Sequence, residues 1–365
     1  MSGMFFGHGR LPWPLRAWGC GPYRKGTPLM TTIDRTRSRV GSSRVSAALG
    51  GSVLAIAALL TTAVGQATAA TVTASIPVDP RPTGVAITPD GSRVYITHMH
   101  EDSTVSVIDT TTNTVTASID VGLGPLGLAI TPDGSRAYIP IFADSSVSVI
   151  DTATNTITTT IPVGPTPAWV AITPDGSRAY IPNQAEDLVS VIDTATNTIT
   201  ATIPVGPSPT WVAITPDGSR AYIPNQGDDT VSVIDTATNT VTSTIPVGPG
   251  AIGVEITPDG SRAYVTNADD DTVSVLDTAT NTVTTTIPVS GEPVGVAITP
   301  DGSRAYITQR RDDTVSVIDT ATNTVTTTIP VGDGPIEVEI TPDGSRAYIT
   351  NETGDTVTVV AIEES

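Results

Sequence analysis

The sequence predicts an all-β chain, a seven-bladed β-propeller with four antiparallel strands in each blade. Three observations carry that prediction. The hexapeptide Thr-Pro-Asp-Gly-Ser-Arg occurs seven times, starting at Thr88, Thr131, Thr173, Thr215, Thr257, Thr299 and Thr341, a spacing of 42 or 43 residues. Each period holds four short runs with strand character, bounded by turn residues, which is the pattern of a propeller blade. Finally, the chain starts its repeats with a spare strand and ends them one strand short, as a closed ring requires.

The third copy shows the elements in order. Trp169–Ile172 is short and apolar and forms strand A. The Pro-Asp-Gly turn leads to strand B, Ala179–Ile181. Strand C, Val189–Asp193, alternates apolar and polar residues with period two, and strand D, Thr198–Val205, alternates again. Strand D is expected at the outer edge of the blade. It carries Pro77, Pro162, Pro204, Pro246, Pro288 and Pro330, with Asp120 at the equivalent place in the remaining copy. Proline lacks a ladder donor, so an edge tolerates it and a central strand does not. Proline and charge at an edge also discourage pairing with other chains.

The spare strand is Thr71–Val78, which resembles strand D and precedes the first full copy. The last copy has A, B and C (Glu337–Ile340, Ala347–Thr350, Thr356–Ile362) and no D. Thr71–Val78 should therefore pair with Thr356–Ile362 and close the ring. By period two, Val72, Ala74, Ile76 and Val78 share one face and are expected to be buried together.

Residues 70–365 form the propeller on this reading. Residues 30–69 have the form of a secretory signal. Arg35, Arg37, Arg39 and Arg44 precede the small apolar stretch Val45–Val64, and Ala67-Thr68-Ala69 offers a small-x-small cleavage site. Residues 1–29 are expected to be a non-structural upstream extension, with Met30 an alternative start. The single cysteine, Cys20, lies in that extension, so no disulfide forms within one chain. The expected destination is outside the cell or on its surface, with no transmembrane anchor after cleavage. Beyond residue 69 the chain has ten Arg, no Lys and 36 acidic residues. A body this acidic repels nucleic acid and anionic membranes.

Tyr264-Val265-Thr266-Asn267, with the looser versions Tyr348–Asn351 and Tyr180–Asn183, resembles the YVTN-type β-propeller repeat. The Pro-Asp-Gly-Ser-Arg turn and the Val-Ser-Val-Ile-Asp-Thr strand share the resemblance, which covers residues 71–362. It implies a secreted or surface-layer propeller and no single activity, since a fold does not fix a function.

Comparison of the copies with one another separates scaffold from site. The A–B turn is identical in all seven copies and the C–D turn nearly so; in an antiparallel blade both lie on one face. The D–A and B–C connections share the opposite face and vary, as in His98-Met99-His100-Glu101-Asp102, Asn183-Gln184, Asn225-Gln226 and Gln309-Arg310-Arg311. A protein or glycan ligand is expected on that variable face, with Gln184, Gln226, Arg310 and Arg311 as contacts. Strand A, the innermost strand, starts on Gly84, Gly127, Trp169, Trp211, Gly253, Gly295 and Glu337. Two residues later stand Ala86, Ala129, Ala171, Ala213, Glu255, Ala297 and Glu339. Trp169, Trp211, Glu255, Glu337 and Glu339 interrupt a rule of small residues. The indoles can anchor a ligand or simply plug the channel. His98-x-His100 beside Glu101 and Asp102 has the donor types of a transition-metal site, against the simpler reading of a solvated loop. No catalytic motif or cofactor signature is identified. The expected function is a non-enzymatic binding scaffold; the alternative is a metal-dependent lyase or lactonase working at the channel mouth through Glu255, Glu337, Glu339 and His98.

Overall fold

The computed structural model describes residues 70–100 and 103–363. The leader readings on residues 1–29 and 30–69, Cys20, and the Glu101-Asp102 half of the proposed metal loop lie outside the described residues. The described chain is all β: seven four-stranded antiparallel sheets, each ordered A-B-C-D from the channel outward. Blade 1 comprises Pro82–Ile87, Arg93–His98, Thr104–Asp109 and Thr114–Asp120. Blades 2 to 6 repeat that order. Blade 7 takes A, B and C from Pro335–Ile340, Arg346–Asn351 and Thr356–Ala361, and D from Thr71–Pro77 at the other end of the repeats. Ser75 pairs with Thr358 and Ile76 with Val357, so the ring closes as expected.

The closing strand is less buried than its alternation suggests. Ile76 is buried, Ala74 and Val78 pack only partly against the core, and Val72 is 41% exposed. A register irregularity between Val72 and Ala74 breaks the period-two pattern at the strand's start.

Turn chemistry explains the invariant face. In the A–B turn Asp90 Oδ1 accepts from Thr88 Oγ1 at 2.6 Å and from Ser92 N at 3.0 Å, while Gly91 takes the left-handed conformation at φ 69°. These donors hold the Asp90 carboxyl down to about 2. In the C–D turn Asp193 Oδ1 accepts from Thr196 N at 2.8 Å, and Asn197 is left-handed at φ 55°. The C–D asparagine has a second role that repeat comparison alone missed. Tyr138 Oη of blade 2 donates to Asn197 Oδ1 of blade 3 at 2.7 Å, and Arg136 donates to the Thr194 carbonyl. The same pair of bonds ties blade 5 to blade 6 through Tyr264, Asn323, Arg262 and Thr320. Six of the seven recurrent tyrosines are thus fully buried inter-blade ties. The hydrophobic clusters likewise span neighbouring blades; Tyr95 and Val107 of blade 1 share one with Ala137 and Ile139 of blade 2.

Strand A differs between two groups of blades. In blades 1, 5, 6 and 7 it is six residues long; in blades 2, 3 and 4 it shrinks to Ala129–Ile130, Ala171–Ile172 and Ala213–Ile214. The expected strand Trp169–Ile172 is therefore half as long. Strand B supplies the reason. Thr308 Oγ1 receives the Gly295 amide at 2.8 Å and itself donates to the Ile336 carbonyl of the next blade at 2.8 Å. Thr97, Thr266 and Thr350 stand at the equivalent place in the other long-stranded blades. Pro140, Pro182 and Pro224 replace them in blades 2 to 4 and have no hydroxyl to make that pin. Among the described residues no helix is long and apolar enough to cross a membrane.

Candidate functional site at the channel and its rim

Close packing at the axis sets the site. At Gly295 an added Cβ would lie 2.5 Å from the Ile336 carbonyl oxygen, so neighbouring A strands approach as only glycine allows. At Gly127 the space a Cβ would need is taken by the Trp169 ring, 2.6 Å away. Trp169 and Trp211 stack on each other with centroids 3.8 Å apart and planes 20° apart. They are only 2% and 6% exposed. The geometry matches the plug reading: the indoles face one another and not solvent.

Glu337, from the opposite side of the ring, completes the plug. Its Oε1 accepts from Trp169 Nε1 at 3.1 Å and its Oε2 from the Val85 amide at 2.7 Å. Burial pushes its carboxyl up to about 8, against the pull of those two donors. Glu255 and Glu339 stand two residues along strand A in blades 5 and 7, each only partly covered. Burial pushes Glu255 up to about 7 and raises Glu339 well above the ordinary value, helped by the charges of Glu255 and Glu337. The three carboxyls share one electrostatic environment although they come from two blades.

The rim is formed by the residue that follows strand B in each blade: Met99, Phe142, Gln184, Gln226, Ala268, Arg310 and Glu352. Met99 and Phe142 pack against the cluster that contains both tryptophans. Gln184 is 5% exposed, and its amide nitrogen finds no acceptor among the described residues. Arg310 pairs with Glu352 at 3.0 Å, Arg81 with the other oxygen of Glu352 at 2.9 Å, and Arg311 with Glu292 at 2.8 Å. The rim therefore passes from an apolar arc, through an amide arc, to an arc of paired charges. Gln184, Gln226 and Arg310 stand at equivalent places, directly after strand B, in blades 3, 4 and 6. Arg311 reaches outward, 68% exposed.

One expectation needs correction. His98, Asn183, Asn225 and Gln309 are not loop residues; they end strand B and are buried. His98 Nε2 lies 2.9 Å from Ser106 Oγ, as Asn225 Nδ2 lies 2.9 Å from Ser232 Oγ. The imidazole thus substitutes for a repeated scaffold amide, and burial pushes its pKa down to about 4. The ring of His100 is 6.5 Å from that of His98. Among the described residues, which leave out Glu101 and Asp102, no group of three or more His, Cys, Asp or Glu is placed to hold a metal ion. The signal missed in the sequence was the alignment of His98 with Asn225 of another copy.

The sequence model of a family described as "Lactonase, 7-bladed beta-propeller" matches residues 202–365, less than half of the chain. No curated protein compared with the chain matches it. Among solved structures the fold is similar to a chain of Kuenenia stuttgartiensis hydrazine synthase, with a TM-score of 0.72 and 26% identity, covering 78% of this chain and 97% of that one.

Proposed function

We propose that this propeller is an extracytoplasmic, non-enzymatic binding scaffold of the YVTN-repeat kind, which takes a protein or glycan ligand on the D–A/B–C face. One observation carries the reading. Seven nearly identical blades present one invariant face and, on the other, a rim whose equivalent positions hold Met99, Phe142, Gln184, Gln226, Ala268, Arg310 and Glu352. A repeated scaffold with variation confined to the loops of one face is how rigid folds carry recognition. Gln184 supports it, because a buried donor without an acceptor is costly unless a ligand oxygen meets it. The test is a glycan and peptide array, repeated with Gln184→Ala and Gln226→Ala. Loss of the captured ligand supports the reading. Capture unchanged by either substitution, and lost on substitution of Ser177 or Ser219 on the opposite face, would reject it.

A second reading is lactone hydrolysis, favoured by the family match over 202–365 and by channel carboxyls whose affinity for protons is raised toward neutrality. Glu255 would take a proton from water as the water oxygen adds to the lactone carbonyl. It would return that proton to the ring oxygen as the ring C–O bond breaks. Acid release from a lactone panel, abolished by Glu255→Gln, tests it; no release by the unaltered chain excludes it.

A further inference from the structure

The propeller's rarest side chains are not spread evenly. Beyond residue 69 the chain has one methionine, Met99, one phenylalanine, Phe142, and ten arginines, seven of which belong to the Thr-Pro-Asp-Gly-Ser-Arg turns. The other three are Arg81, Arg310 and Arg311. All five residues lie in D–A or B–C connections.

Contacts join them into one arc across blades 6, 7, 1 and 2. Arg311 pairs with Glu292 at 2.8 Å, Arg310 with Glu352 at 3.0 Å, and Arg81 with the other oxygen of Glu352 at 2.9 Å. The Arg81 carbonyl accepts from the Met99 amide at 2.9 Å. A Cβ placed on Gly124 would meet Phe142 Cβ at 3.6 Å and Met99 Cε at 3.9 Å, and the neighbouring Leu123 carbonyl accepts from the Ala143 amide at 3.1 Å. One end of the arc is apolar; the other carries three guanidinium groups against two carboxylates.

Two features set the arc apart. Leu123 is 44% exposed, at a place where the other copies hold proline, glycine or aspartate. The other large exposed hydrophobics, such as Val115 and Ile199, all stand on strand D. Arg81 and Glu292 are left-handed at φ 58° and 59°, where Gly124, Gly250 and Gly334 stand in other copies. Glycine suits that conformation best, so these charges are held against a backbone preference.

We propose that this arc is the hot spot of the D–A/B–C face, resting on the reading of that face as the ligand face, and that its partner is a protein segment carrying a large apolar side chain beside a carboxylate. Methionine, phenylalanine and arginine are enriched in protein interfaces. Sugar rings stack on exposed aromatic faces, whereas both tryptophans are buried against one another and the seven repeat tyrosines are buried too. Exposed Glu186, Asp228 and Asp270 on blades 3 to 5 repel a carboxylate, which steers the partner's acid to the arginines.

The test is selection from a displayed library of random peptides on the full chain, repeated with Leu123→Ser, Arg311→Glu and, as a control on strand D of blade 3, Ile199→Ser. Selected peptides should place Asp or Glu next to Leu, Phe or Met. Leu123→Ser and Arg311→Glu should each weaken their binding about tenfold or more, and Ile199→Ser should leave it unchanged. Both altered positions are exposed, and circular dichroism verifies that the fold is kept. The proposal is overturned if the peptides show no acidic and apolar bias, if they bind the Leu123→Ser and Arg311→Glu chains as tightly as the unaltered one, or if no peptide is captured. Capture of a glycan, or of a peptide released by Gln184→Ala alone, would overturn the arc and leave the ligand face standing.

Discussion

Replacing Trp169 by phenylalanine separates the plug's packing from its electrostatics. Phenylalanine keeps an aromatic ring against Trp211 and removes the Nε1 donor that Glu337 receives at 3.1 Å. The folded pKa of Glu337, about 8, lies above the ordinary 4.5, so the fold favours its protonated form and loses stability as pH rises from about 4.5 to about 8. Below that value the substitution deletes a bond to a neutral acid, worth about 0.5–1.5 kcal/mol; above it, a bond to a carboxylate, worth about 1.5–3 kcal/mol. The loss of ring volume is the same at both. Urea unfolding at about pH 6 and about pH 9.5 should show destabilisation at both, larger by about 1–2 kcal/mol at the higher value. Equal destabilisation at the two pH values would refute the bond between Trp169 and Glu337.

Further outcomes follow from the same geometry. Deleting Thr71–Pro77 removes the buried Ile76, worth about 1.5–3 kcal/mol, together with a whole ladder of backbone bonds, and should cause aggregation through the bared strand C of blade 7, measured by light scattering. Glu255→Gln should flatten the fall of stability between about pH 5 and about pH 8, because a carboxyl raised to about 7 in the fold stabilises fully only below its unfolded value. An unaltered pH profile of thermal unfolding would contradict that. Thr308→Val should lower stability by about 1–3 kcal/mol by leaving the Gly295 amide without its acceptor, read by calorimetry. Thr73→Ala, on the exposed start of the closing strand, should have a much smaller effect in the same assay.

The ring, its blade count, its closure and its proline-marked outer edge were legible because repetition displays each element seven times. What stayed hidden has physical causes. The shortened A strands depend on a single hydroxyl, present in Thr308 and missing in Pro182, whose two partners lie in different blades. The bond from Trp169 to Glu337 joins residues 168 apart in sequence and from opposite sides of the ring. No local pattern reports such a contact. Val72 misled because period-two burial holds only while the register holds, and the irregularity after Val72 breaks it. His98, Asn183, Asn225 and Gln309 were all taken for loop residues because strand B was read as ending at its last apolar residue, Ile181 in the third copy, whereas it runs two residues further to Asn183. The tyrosine-to-asparagine ties were partly visible: both residues recur in every full repeat, and only their pairing across blades required coordinates.

The central claim is that the variable rim around the tryptophan plug is the ligand face. Hydrogen exchange of the full chain, with and without a ligand captured on a glycan or peptide array, tests it most directly. Slowed exchange is expected in the B–C connections after Ile141, Asn183, Asn225 and Gln309, with the seven Thr-Pro-Asp-Gly-Ser-Arg turns unchanged. Protection confined to those turns, with the rim exchanging as before, would contradict it.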